Sequence, residues 1–361
     1  MRTSRKLATC IALGVGLVPV ISSAASAAQK DVSLGPPRNA QRALQSTGSD
    51  VNDFFPHAVT VHVGDTVRFV PNGFHTVDLP GRRTRKLPII TPVGPAIAGA
   101  VDAAGAPFWF NGQPGLGFNP RLLRSAFGKR RSYTGSTAVL SGLPLSQRPR
   151  PMSVRFTRTG TFRYFCDIHP GMTGIVRVAR SGRSIPSAAA DRRTLRRQVA
   201  RTLAAARALS KSPPAPPANT VNVGAQRRGN VSFFAFVPST LTVPRGTTVT
   251  FRMNASTEVH TATVGPGNPE NQPQSYLGQI EAGLQGPTLD PRGLFPSDPP
   301  GALAALTPAS HGNGFWNSGA LDEDPATTTV PPANAVNFAA PGVYQVFCMI
   351  HPFMHATVTV Q

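Results

Sequence analysis

The sequence predicts an all-β chain built as two tandem β-sandwich units joined by a helical, Pro-rich linker. Three observations carry this. Alternating strand patterns bounded by Gly-containing turns recur along the chain, one stretch repeats another at a fixed spacing, and helical periodicity is absent from both copies. At 361 residues the chain has room for two cores.

The N-terminus belongs to neither unit. Arg2, Arg5 and Lys6 precede an apolar run from Leu7 to Ile21, and "SSAASAAQK" then offers small-residue cleavage positions near Ala27 or Ala28. Residues 1–28 are therefore expected to be a secretory signal. The run is too short, and too interrupted by Thr9 and Pro19, to span a bilayer well. "LATC" faintly resembles a lipoprotein box, but most of the apolar run follows Cys10, so no lipid anchor is expected. Residues 29–50 are taken as an extension.

The first unit spans 51–180 and the second 218–361. An offset of 182 places "FFPHAVTVHVGDTVRF" (Phe54 to Phe69) on "FVPSTLTVPRGTTVTF" (Phe236 to Phe251), with Pro56 over Pro238 and Gly64 over Gly246. The same offset places "RTGTFRYFC" on "APGVYQVFC", so that Cys166 meets Cys348. One offset at both ends of a unit signals duplication. Each copy predicts two alternating strands, a later strand–turn–strand, and a closing strand in "GIVRVA" or "HATVTVQ"; short strands at this spacing suggest a sandwich.

Between the units, in 181–217, "SAAADRRTLRRQVARTLAAARALSK" places Leu195, Val199 and Leu203 at helical spacing with Asp191 near the start. "SPPAPPA" then forms a stiff spacer. The apolar stripe is thin and Ala-rich, which favours a connector packed on a domain over a membrane-surface helix.

Charge is divided unevenly. Residues 1–218 hold 31 Lys and Arg against 8 Asp and Glu, a net of +23; residues 219–361 hold 5 against 8, a net of −3. A basic half could hold an acidic protein partner or an anionic envelope polymer, but a solvated, Arg-biased surface is the favoured explanation. No nucleic-acid module is recognisable, and a nucleic-acid partner is not expected.

The repeated C-terminal stretches carry the chemistry. "YFCDIHPGM" and "VFCMIHPFM" contain every cysteine except Cys10, each followed by His at the third position and Met at the sixth. Each copy has one more histidine shortly after its second strand, His75 in "VPNGFHTVDL" and His260 in "MNASTEVHTATV", the latter with three extra residues. The candidate ligand sets are thus His75, Cys166, His169, Met172 and His260, Cys348, His351, Met354. Two imidazoles and a thiolate with a weak axial thioether are the ligand field of a blue copper electron-transfer site. Zinc more often takes several thiolates or imidazoles and no thioether. A disulfide would have to join corresponding points of two repeats, so none is expected between Cys166 and Cys348.

On these residues both units resemble cupredoxins of the plastocyanin and amicyanin type, and "CMIHPFM" is similar to the short amicyanin ligand loop. The resemblance covers the strand pair, the first histidine and the ligand loop of each unit. It implies a Greek-key β-sandwich, a copper ion near one end of each, and a solvent-facing, electron-passing role for His169 and His351. The sequence departs from the family in its inserts: His75 and Cys166 are 91 positions apart, His260 and Cys348 88. "FWFNGQPGLGF" in the first insert echoes "GFWNSGALDE" in the second, while "VLSGLPL" matches "WNSGALD" equally well, and Trp109 and Trp316 are expected to be packing anchors. The expected function is a secreted electron carrier with two copper ions, exchanging electrons with redox partner proteins. A two-domain copper oxidase or nitrite reductase is the enzymatic alternative, and a copper-storage module the third. His57, His62, His311 and His355 form no His-x-His pair, and Phe165 and Phe347, not histidines, precede the cysteines.

Overall fold

The computed structural model describes residues 28–82, 86–227, 230–254, 257–323 and 330–361. The expected signal segment, with Cys10, lies outside the described residues apart from Ala28. Most regular structure is β, in several sheets, with few helices.

In the N-terminal half two five-stranded sheets share one core. The first runs Phe54–Phe55, Gln29–Leu34, Thr66–Pro71, Met152–Phe156, Arg130–Tyr133; the second runs Val139–Leu140, Asp78–Leu79, Gly160–Phe165, Thr173–Ala179, Ala58–His62. Alternation along each strand sends Val32, Phe69 and Val154 from one sheet, and Val61, Tyr164 and Val176 from the other, into a common cluster. In the C-terminal half, Val221, Phe251 and Val336 meet Val346, Val358 and Trp316 in a second cluster. The sheets behind them are Ala304–Leu306, Ala333–Phe338, Thr247–Met253, Thr220–Arg227, Val231–Val237, Ser49–Val51, and Thr240–Val243, His355–Val360, Gly342–Phe347, Thr263–Val264, Trp316–Asn317.

Two findings depart from the sequence reading. Residues 29–34, taken as an extension, form a strand paired in parallel with Thr66–Pro71, and so belong to the first sheet. Residues 49–51 pair with Val231–Phe233 at the edge of the other half's sheet. The first pairing is parallel and the second antiparallel, but in both the partner lies far along the chain and no hairpin turn marks it, which is why local pattern missed them. Short helices also occur in the second insert, at Tyr276–Gly283 and Pro291–Leu294.

The helix expected between the repeats spans Ala188–Lys211, and the Ser187 side chain caps it by accepting from the Ala190 N–H. Its Leu195, Val199, Leu203, Ala206 and Leu209 pack with Leu44, Val51, Phe55 and Val231, so its thin stripe is covered by both halves. Among the described residues no helix is long and apolar enough to cross a membrane.

The inserts form a core of their own. Phe108, Phe110 and Trp109 from the first meet Leu277, Ile280, Phe295 and Phe315 from the second, with Phe108 and Phe110 stacked 4.8 Å apart. Trp109 Nε1 donates to the Pro296 carbonyl at 2.8 Å, whereas Trp316 lies in the second sheet core. The open alignment is resolved for "VLSGLPL". Ser141 Oγ accepts from Val77 N–H and donates to the Gly142 carbonyl, and Ser318 Oγ does the same with Ala262 N–H and the Gly319 carbonyl.

Tyr164, two residues before the cysteine, is wedged edge-on against Phe54 (4.7 Å) and Phe69 (5.1 Å). Across the strand its ring covers Gly174, where an added Cβ would collide with Cζ and Oη of Tyr164. Gly174→Ala is therefore expected to lower stability by about 1–3 kcal/mol through overpacking. A denaturant midpoint unchanged from the parent protein would show that the ring has room to move.

Candidate metal centres

Each centre is assembled at the end of a β-hairpin. Strands Gly160–Phe165 and Thr173–Ala179 pair with Phe165 opposite Thr173, and Gly342–Phe347 and His355–Val360 pair with Phe347 opposite His355. The loop between holds Cys, His and Met. It is closed by the cysteine N–H donating to the methionine carbonyl (Cys166 to Met172, 3.0 Å; Cys348 to Met354, 3.1 Å) and by the methionine N–H donating to the histidine carbonyl (3.2 and 2.8 Å). The remote histidine arrives just before a two-residue strand that pairs with the cysteine strand, Asp78 against Phe165 and Thr263 against Phe347. Gly73, at φ +108°, leaves room for the His75 ring, since a Cβ there would sit 2.9 Å from Nε2.

The structure brings His75, Cys166 and His169 together, and likewise His260, Cys348 and His351, with donor atoms within 4.8 Å of one another. In the first group His75 Nδ1 is 2.9 Å from His169 Nδ1, which is 3.7 Å from Cys166 Sγ. In the second, Cys348 Sγ lies 3.7 Å from His260 Nδ1 and 3.9 Å from His351 Nδ1, and the two nitrogens are 3.0 Å apart. A triangle with these edges has its centre about 2.1 Å from every corner, the length of a metal–nitrogen bond and close to a metal–sulfur one. The donor set and its spacing thus fit a single trigonal metal ion. Met172 and Met354 are buried in the same clusters as the cysteines. Both cysteines are free thiols.

Burial sets the protonation of these groups. It pushes His75 and His351 down to about 4 and His169 and His260 well below the ordinary imidazole value, with neighbouring rings adding to the effect on the last two. It pushes both thiols up, against the opposing pull of backbone N–H groups of Thr76 and Thr261. At neutral pH, with no metal bound, these groups would be neutral imidazoles and protonated thiols.

Sequence reasoning missed Thr76 and Thr261, each directly after the remote histidine. The N–H of each points at the cysteine sulfur at 3.4 Å. Each Oγ1 accepts from the N–H of the residue after the cysteine, Asp167 at 2.7 Å and Met349 at 2.8 Å. One threonine thus ties the remote histidine to the ligand loop. The signal was available as a repeated His-Thr pair. Also missed was Glu258, buried two residues before His260 and pushed up to about 8 by burial, against the hydrogen bond from Asn52.

The expectation that His169 and His351 face solvent is corrected. His169 is buried and the His351 side chain is 20% exposed. Their Nε2 atoms face the Glu258 carboxyl because strand Ser49–Val51 and its following loop bring the two halves together there.

The other histidines are engaged elsewhere. His57 contacts Asp53, His62 the Arg183 carbonyl, and His355 the Phe353 carbonyl. His311 lies between Asp102 (3.2 Å) and Asp298 (3.6 Å).

No protein-family model matches the chain, and no curated protein does. Among solved structures it is similar to a plastocyanin from Dryopteris crassirhizoma, at 23% identity and a TM-score of 0.21 over 39% of this chain and 99% of that one. A reduced Cu(I) form of an amicyanin mutant matches at 15% identity and 0.22, over 41% and 87%. A purple cupredoxin from Nitrosopumilus maritimus matches at 18% and 0.20, over 39% and 98%. Likenesses at this level add no weight to the residues themselves.

Two outcomes are expected. Thr76→Val and Thr261→Val each leave a buried N–H unpaired and should cost about 1–3 kcal/mol in the metal-free protein, with Ser restoring most of it. Equal midpoints for Val and Ser would refute the tie. At neutral pH each bound metal ion should release roughly one proton, from the thiol, so that affinity rises about tenfold per pH unit. A release near three, measured with a pH indicator, would mean that the imidazoles were charged.

Proposed function

We propose that the chain is an extracytoplasmic electron carrier that binds two copper ions in type-1 centres, one in each of two tandem Greek-key sandwich domains, the first including the strand Gln29–Leu34 and the second within 218–361. The observation that carries this is the duplicated, buried His₂Cys triangle with a methionine from the same loop. Copper bound there would supply a one-electron couple. The chain's own residues set its conditions. Cys166 and Cys348 provide the thiolates, and His75, His169, His260 and His351 the imidazoles. Tyr164, Val176, Val346 and Val358 exclude water behind them. Loops fixed by backbone and threonine hydrogen bonds hold the donors still as charge changes, which favours electron transfer over ligand exchange.

The carrier reading is preferred to an oxidase or nitrite reductase because catalysis needs an open coordination position, normally on an imidazole-bound second metal. The four remaining histidines, His57, His62, His311 and His355, contact other protein groups instead. The N-terminal segment with its basic start and apolar run supports secretion. The basic first half supports an acidic redox protein as partner.

Copper should saturate near two per chain. Cys166→Ser and Cys348→Ser should each remove about half of the copper–thiolate absorption and the double variant all of it, because serine oxygen cannot replace the charge-transfer donor. Visible spectra and metal counting decide this. Unchanged absorption in both single variants would overturn the assignment.

A further inference from the structure

The two candidate centres face one another across a single buried carboxyl. Glu258 Oε1 lies 3.6 Å from His169 Nε2, and Glu258 Oε2 lies 3.9 Å from His351 Nε2. In both rings Nδ1 is the atom nearest the thiol, so each Nε2 lies on the far side of its ring from the centre. The carboxyl is held in place by Asn52 Nδ2, which donates to Oε1 at 2.6 Å. The Asn52 N–H donates to the Asn230 carbonyl at 3.0 Å, and Asn230 Nδ2 donates to the Gly171 carbonyl, inside the first ligand loop, at 3.0 Å. The gap is thus a built structure whose members come from both halves of the chain.

Its two sides differ in access. The His169 side chain is 9% exposed and that of His351 20%. Phe234 stacks on His351 at 4.9 Å and 17°, and Phe353, 48% exposed, lies 6.0 Å from the same ring. An apolar, partly open aromatic edge therefore adjoins the second centre.

Building on the copper assignment, we propose that the two centres exchange one electron with each other through His169, Glu258 and His351, and that the second centre is the one that trades electrons with outside partners. The path is two through-space gaps, of 3.6 and 3.9 Å, joined by the covalent atoms of a carboxyl and two imidazoles. The balance is simple. An external one-electron donor reduces the second centre from Cu(II) to Cu(I); that centre returns to Cu(II) as the first goes from Cu(II) to Cu(I). No bond forms or breaks. The carboxyl bridges the rings by position, and Asn52 is a positioning residue acting through it.

The test uses the full, copper-loaded chain and a reduced c-type haem protein as a bulky donor, with the copper–thiolate colour followed after rapid mixing. The parent chain should bleach in one phase. Cys166→Ser, which keeps only the second centre, should bleach at the parent rate. Cys348→Ser, which keeps only the first, should be slower by about tenfold or more, as restricted access slows association. Glu258→Ala should split the trace into two equal phases at the two single-centre rates, with two coppers still bound. In the fully oxidised parent, pulsed EPR should detect a dipolar interaction between the two Cu(II) spins that both cysteine variants lack. The proposal is overturned if Cys348→Ser bleaches as fast as the parent, if Glu258→Ala keeps a single fast phase, or if the spins do not interact. Should Glu258→Ala fail to hold copper, the two cysteine variants still decide. Absence of thiolate colour in folded single-centre variants would instead sink the copper assignment, a separate and visible failure.

Discussion

Both centres depend on one closed loop. The hydrogen bond from cysteine N–H to methionine carbonyl sits where two paired strands end, and it brings a thiol, an imidazole and a thioether within one turn. A hairpin without that closure would leave seven residues free to sample many conformations, and ordering them would cost roughly 1–2 kcal/mol of backbone entropy per residue. Here the ladder behind the loop and the threonine beside it fix most of that order during folding. The remote histidine adds little further cost, because the strand that carries it is already paired to the cysteine strand.

The two His–Cys–His groupings were legible in the sequence because their residue types are rare and their spacing local. Cys, His and Met at spacings of three, repeated at one offset, leave few structural explanations. The helix over 188–211 was legible for the same reason, its cap and stripe being contained in 25 residues. What escaped was non-local. Residues 29–34 and 49–51 are short, and their partners lie 37 and about 180 positions away. The inserts gave conflicting alignments because the true equivalence, Ser141 with Ser318, rests on a hydroxyl bonded to one backbone N–H and one carbonyl. Glu258 had a trace in the sequence. The three residues by which the second copy exceeds the first fall just before His260, and a carboxyl in such a place has no counterpart in "VPNGFHTVDL".

The two loops differ next to matching cysteines. The residue after the cysteine is Asp167 in one and Met349 in the other. Asp167 accepts from Leu87 N–H and Thr76 Oγ1, so the first loop is anchored by polar contacts to its own insert. Met349 instead joins Phe108, Phe110 and Phe315 in the core formed by both inserts. The long inserts are therefore not decoration on the sheets. They give the second loop an apolar support that the first half of the chain helps to build.

That difference bears on how the centres are set against each other. A solvent-facing imidazole edge can serve any partner that docks on it, but its environment is then water and salt. Turning both edges inward exchanges that openness for a fixed neighbour. The distance between the centres then depends on contacts far from either one: the strand Ser49–Val51 seated on the other half's sheet, the helix Ala188–Lys211 packed on both, and Trp109 anchored to Pro296. Each joins the halves at a different place, and together they hold Glu258 between His169 and His351. Each His–Cys–His group is drawn from its own half of the chain and includes none of them. Their presence makes sense if the spacing between the two sites, and not only the sites, is what the chain maintains.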